Sequence, residues 1–94
     1  MKLGLIIKET RKSKGLRQIT LSKEVGITQA YLSGIETGKK NASNDVLEKI
    51  SNILEVPLSV MYWRSIELSD VPENKQKLFK FLIPSVNNLI DQIF

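Results

Sequence analysis

Cysteine and histidine are both absent from the 94 residues. Without cysteine there is no disulfide, no thiolate nucleophile and no zinc–cysteine site, which suits a reducing compartment. Without histidine the chain lacks the commonest metal ligand and the usual acid–base group near neutral pH. Catalysis would have to rest on carboxylates, lysines or hydroxyls, and no arrangement of these reads as a nucleophile beside its base. The sequence is therefore expected to be no enzyme, to need no cofactor or metal, and to have no evident small-molecule ligand. Long apolar runs are missing as well. Residues 1–8 do not read as a signal peptide, and no stretch is long enough to span a bilayer. The expected setting is cytoplasmic, away from membranes.

What is present is an ordinary globular composition, 41% hydrophobic and 26% charged, in a chain sized for one domain with one modest core. The net charge of +4 is unevenly spread. Residues 1–43 carry nine Lys or Arg against three Glu, whereas residues 44–94 carry five against seven acidic groups. A basic first half suits a polyanion such as nucleic acid, and a solvated surface is the plainer alternative.

No segment alternates with the period of two that marks a half-buried strand, so the fold class is all-α. Leu3, Ile7 and Thr10–Arg11 share one helical face, and Gly15 stops that helix. A second helix runs from about Arg17 to Val25, with Leu21, Ser22 and Val25 inward and Gly26 after it. Thr28 suits an N-cap for a third helix to about Glu36, in which Leu32 and Ile35 point inward. Ser43 or Asn44 can cap a fourth, where Leu47, Ile50, Ser51 and Leu54 repeat at three and four. Pro57 opens a short fifth helix with Leu58, Met61 and Tyr62. Residues 65–72 read as a connector. The last segment, from Glu73 to Phe94, is amphipathic, and Pro84 should bend it near Lys80 or split it.

Residues 15–40 carry the most information. Two short helices meet at a tight turn, and the second presents polar side chains outward, which is how a helix-turn-helix enters a major groove. Ser22 is small enough for the helices to approach. Gly26 can adopt a left-handed conformation in the turn. Ile27 plugs the turn into the core. Leu32 and Ile35 hold the second helix so that Thr28, Gln29, Ala30, Tyr31, Ser33 and Gly34 lie outward. The joint set is far more specific than any member.

In order, the chain shows Gly15-Leu16-Arg17-Gln18, Leu21-Ser22, Gly26-Ile27-Thr28, Leu32-Ser33 and Glu36-Thr37-Gly38-Lys39. With this set, residues 3–63 resemble the Cro and repressor type of helix-turn-helix regulator, the XRE family. The resemblance implies a compact five-helix, lambda-repressor-like DNA-binding domain over residues 1–64. Residues 65–94 then form a C-terminal helical extension. Three positions depart from the family pattern. Arg17 stands where a Ser or Thr cap is usual, Ser22 replaces Ala, and Gly34 occupies a recognition-helix position often held by a larger, base-reading side chain.

The resemblance implies that Gln18 touches a phosphate or steadies a neighbouring base-reading side chain. It also implies that Arg11 and Glu36 form a mostly buried structural ion pair. From its chemistry, Gln29 is the best base reader, since a carboxamide can pair with adenine N6 and N7 at once. Thr28 suits a phosphate and Ala30 a thymine methyl. Tyr31 either lies along the sugar–phosphate edge or covers the domain surface. Lys39, Lys40, Asn41 and Ser43 precede the fourth helix, whose N-terminus is a ready phosphate site. Leu78, Leu82, Val86, Leu89, Ile90 and Ile93 form an apolar stripe that folds back on the domain or meets a second chain. A homodimer interface is the favoured reading.

The combined expectation is a transcriptional regulator that binds a palindromic operator in double-stranded DNA as a homodimer, with residues 28–36 in the major groove. A restriction-modification controller protein is the nearest rival. An antitoxin-like adaptor, binding a partner protein through residues 65–94, is the rival of another class.

Overall fold

Helix boundaries in the computed structural model, which describes residues 1–94, follow local chemistry. Six α-helices succeed one another: α1 (Leu3–Ser13), α2 (Gln18–Val25), α3 (Gln29–Glu36), α4 (Asn44–Leu54), α5 (Leu58–Ser65) and α6 (Gln76–Ile93). There is no strand, and single 3-10 turns occupy Leu68–Asp70 and Glu73–Lys75. The Tyr31 backbone N–H donates to Thr28 Oγ1 at 3.0 Å and that of Val46 to Ser43 Oγ at 3.3 Å, so both helix starts have side-chain caps. α2 begins after Arg17 with no side-chain cap. Gly26 ends α2 at φ +84°, a conformation that strains most other residues. Glu55 ends α4 at φ +58° without being glycine.

The core lies among α1 to α5. Ile7, Leu21, Leu32, Ile50, Leu54 and Met61 are fully buried at its centre. Each contributes about 1.5–3 kcal/mol by leaving water. α1 packs against α3, α4 and α5, while α2 packs against α3 and α4. The α1–α3 contact is unusually close at Gly4, where an added Cβ would stand 2.0 Å from the Ile35 carbonyl oxygen. The hydroxyl of Ser22, buried in the helix crossing, donates to the Ile19 carbonyl at 2.8 Å. Ser51 and Ser65, also buried, donate to the carbonyls of Val56 and Tyr62. No buried side-chain polar atom is left without a partner, so no core hydroxyl carries a desolvation penalty.

α6 stands apart from this core, and none of its residues is fully buried. The radius of gyration is 14.2 Å, against roughly 12 Å for a compact chain of this length, so the extension lengthens the molecule. α6 turns its inner face to α5. Trp63 packs edge-on against Phe79 with ring centroids 5.7 Å apart, and its Nε1 donates to Asn87 Oδ1 at 2.9 Å. Arg64 pairs with Asp91 at 3.0 Å in solvent. α6 is not split at Pro84, contrary to one of the two outcomes expected from the sequence. The proline leaves the Lys80 carbonyl without its helical donor, but both residues are exposed and water can take that place.

Candidate nucleic-acid interface

The turn Gly26-Ile27-Thr28 sets α3 across α2. The Ile27 N–H donates to the Ser22 carbonyl at 3.0 Å, which closes the end of α2, and Ile27 packs against the core. Leu32, Ile35 and Glu36 then face inward, while Thr28, Gln29 and Ala30 are exposed at the start of α3. These are the positions from which a recognition helix reaches base edges.

A line of hydrogen bonds connects that exposed edge to the interior. Arg11 donates from Nε to Glu36 Oε2 at 2.8 Å and from Nη2 to Oε1 at 3.0 Å, a forked pair buried between α1 and α3. Its Nη1 donates to the Leu16 carbonyl at 2.9 Å, fixing the bend between α1 and α2. Glu36 Oε1 also accepts from Gln18 Nε2 at 3.0 Å, and Gln18 Oε1 accepts a longer bond, 3.4 Å, from Gln29 Nε2. A carboxylate only accepts, so Gln18 must turn its NH₂ inward and its oxygen toward Gln29. The second N–H and the oxygen of Gln29 remain available, the pair of groups that adenine requires.

Tyr31 and Gly34 do not lie free on the outer side as the sequence suggests. The Tyr31 hydroxyl donates to the Asn41 carbonyl at 2.8 Å, tying α3 to the loop before α4. Gly34 lies under the aliphatic stem of Lys40, where an added Cβ would be 2.4 Å from Lys40 Cγ. The Lys40 N–H donates to the Gly34 carbonyl at 3.0 Å. Gly34 thus lets the loop lie against α3. Ser33 is half-buried, and its carbonyl accepts from the Thr37 hydroxyl at 3.0 Å. Lys39, Lys40, Asn41 and Ser43 are exposed around the start of α4, whose free N–H groups point the same way along the helix axis.

Two features here escape sequence reading. The close approach at Gly4 depends on which helix crosses α1, and a lone glycine in a helical stretch does not disclose it. The cover of Lys40 over Gly34 joins residues six apart through a loop with no periodic signal. In α6, the expected interface set divides. Leu78, Leu82, Leu89 and Ile93 are exposed, whereas Val86 and Ile90 turn partly toward the domain.

A buried core of five short helices, with the turn Gly26–Thr28 setting an exposed α3 across α2, is a helix-turn-helix DNA-binding fold. A helix-turn-helix family model matches residues 7–61, more than half of the sequence. The chain belongs to the XRE-type helix-turn-helix family of transcriptional regulators. It is 36% identical over 67 residues to the ImmF control region 10 kDa protein of Bacillus phage phi105, covering 71% of this chain and 74% of that one. It is 37% identical over 60 residues to the transcriptional regulator SinR of Bacillus subtilis, covering 63% of this chain and 54% of SinR, so it spans about half of that relative. Among solved structures, the restriction-modification controller protein C.AhdI of Aeromonas hydrophila superposes with a TM-score of 0.61 at 32% identity. That match covers 64% of this chain and 91% of the controller. A SinR protein/SinI protein complex gives 0.63 at 30% identity, covering 88% of this chain and 80% of the matched one. No helix is long and apolar enough to cross a membrane.

Proposed function

We propose that the protein regulates transcription by binding a two-fold operator as a homodimer, with α3 of each copy in the major groove. The observation that carries this reading is the hydrogen-bonded line from Arg11 through Glu36 and Gln18 to Gln29. It holds a carboxamide at the exposed start of α3 with one donor and one acceptor free. In this reading Gln29 reads a base, Ala30 meets a thymine methyl, and Thr28, Gln18, Lys39, Lys40, Asn41 and Ser43 hold the phosphates on either side. Tyr31 acts through the loop it anchors. One domain covers one half-site. Two copies place their recognition helices one DNA turn apart, about 34–36 Å, and read a palindrome. Residues 65–94 supply the second contact through the exposed side of α6.

Selection of bound DNA from a random pool tests this directly. The expected product is an inverted repeat, bound with an affinity whose log falls linearly with log salt, by about 0.9 for each phosphate engaged. Recovery of no motif, or a flat salt response, overturns the reading. Lys40→Met, which keeps the stem over Gly34 and removes the charge, should lower the slope by about one contact and weaken all sequences alike.

A second reading has its own support. The match to the SinR protein/SinI protein complex covers 88% of the chain, so it extends beyond residue 64 into the C-terminal extension. An adaptor that engages a different protein through residues 65–94 fits that likeness. Retention of a heterologous protein on α6, in place of a second copy, would select it.

A further inference from the structure

α6 has two apolar sides. The inner side meets α5 through Phe79 and Asn87. The outer side carries Leu78, Phe81, Leu82, Leu89 and Ile93, which are 60, 77, 42, 60 and 74% exposed. So many large apolar groups along one helix are a liability for an isolated chain, and an asset only when covered.

The outer stripe is nearly the same read in either direction. Leu78, Leu82, Leu89 and Ile93 are spaced by four, seven and four residues. Their midpoint falls between Ser85 and Val86. Turning the helix end for end about that point exchanges Leu78 with Ile93 and Leu82 with Leu89. The one small polar residue in the outer row, the exposed Ser85, falls at the centre. Two-fold interfaces are built from one patch used twice, so each residue must find a suitable mate in the reversed copy of its own surface. A small residue at the crossing lets two helix axes approach toward the lower end of the 8–10 Å range.

From this pattern we infer that α6 pairs with α6 of a second copy in antiparallel register, with the two-fold axis at Ser85–Val86. Leu78 packs on Ile93 of the other copy and Leu82 on its Leu89, while the two Ser85 residues flank the axis, about 1.5 Å apart along the helix. The occupant is a second copy because the stripe is complementary to itself; a different partner would place no such constraint on the order of its residues. The inference rests on the homodimer proposed above and adds to it the direction and the axis.

The absence of native cysteine makes the test clean. Single cysteines are introduced in the full chain as Ser85→Cys, Leu78→Cys, Ile93→Cys and Asn88→Cys, and oxidised under mild conditions while sedimentation records the oligomeric state. A disulfide requires Cα atoms within about 7 Å. In the proposed register Ser85 meets that condition with its own copy, whereas the two copies of Leu78 stand about 22 Å apart along the helix. The expected result is a dimer in which Ser85→Cys cross-links to itself and an equal mixture of Leu78→Cys and Ile93→Cys cross-links between variants. Leu78→Cys alone and Asn88→Cys, whose two copies stand about 7.5 Å apart along the helix, should stay uncoupled. Self-coupling of Leu78→Cys as fast as that of Ser85→Cys means a parallel pair and overturns the register, with the dimer intact. A dimer that couples at none of these positions places the interface elsewhere and also overturns it. A chain that remains monomeric at micromolar concentration, with and without DNA, overturns this inference and the homodimer together.

Discussion

Gln18 Nε2 lies 3.0 Å from Glu36 Oε1, and that one contact joins the start of α2 to the end of α3. Because Glu36 is buried and held by Arg11, the direction of the Gln18 carboxamide is set from within the domain rather than by DNA. A side chain oriented before contact costs less to immobilise in the complex. On this view Gln29→Ala should cost about 1–3 kcal/mol on the preferred site and relax selection at one or two base pairs. Gln18→Met, which keeps the bulk but can neither donate to Glu36 nor accept from Gln29, should relax the same base pairs to a smaller degree. Selection profiles of both variants check this. An unchanged profile for Gln29→Ala would remove Gln29 as a reader.

The ion pair behind that contact is a matter of stability. Arg11→Met leaves the Glu36 carboxylate buried with only Gln18 as donor, and should destabilise the domain by about 3–5 kcal/mol. Adding Glu36→Met should recover a large part of the loss, because the stranded charge goes with it. Urea unfolding of the two single variants and the double variant measures the coupling. Additive losses would mean that the pair is not acting as a unit.

At Gly4 the expected effect runs against helix propensity. Alanine is better than glycine in a helix by about 1 kcal/mol. Here its Cβ would press on the Ile35 carbonyl at 2.0 Å, and backbone cannot yield as a flexible side chain does. Gly4→Ala should therefore lower stability by about 1–3 kcal/mol as α1 and α3 are forced apart. Thermal unfolding at equal protein concentration tests it, and a gain in stability would show that the crossing is looser than described.

Acid should loosen the connector. The Asp70 carboxylate accepts the Glu67 N–H at 2.8 Å and pairs with the Met1 ammonium at 2.9 Å. The backbone bond first, and the ammonium second, hold its pKa below the usual carboxylate value. A group with a lowered folded pKa stabilises the fold above its unfolded pKa, and that contribution is lost as pH falls through the folded value. Stability measured from about pH 5 down to about pH 2.5 should fall less steeply in Asp70→Asn than in the parent. Equal slopes would show that Asp70 makes no net contribution.

The local parts of this structure can be read in the sequence. Thr28 shows itself as a cap, and Ser43 as one of two candidates with Asn44, because a short polar side chain ahead of an apolar repeat suits that place, and Gly26 because few other residues turn so sharply. The family pattern locates α2 and α3. What lies outside the reach of sequence depends on tertiary pairing. Gly4 has meaning only once Ile35 is known to cross it, and Gly34 only once Lys40 covers it. The division of α6 into an inner side with Phe79 and Asn87 and an outer side with Leu78 and Leu89 follows from where Trp63 stands. A continuous α6 through Pro84 is tolerated where the Lys80 carbonyl is open to water, and that exposure is supplied by no local rule.

The loop at residues 37–43 has a kinetic consequence. Tyr31 grips its Asn41 carbonyl, and Lys40 both spans Gly34 and bonds its backbone. The loop therefore has its shape before any duplex arrives, and in the proposed complex its meeting with the sugar–phosphate chain does not have to freeze it. Association should proceed at a speed governed by charge-guided encounter rather than by a folding step, and discrimination among sequences should appear in how long the complex lasts.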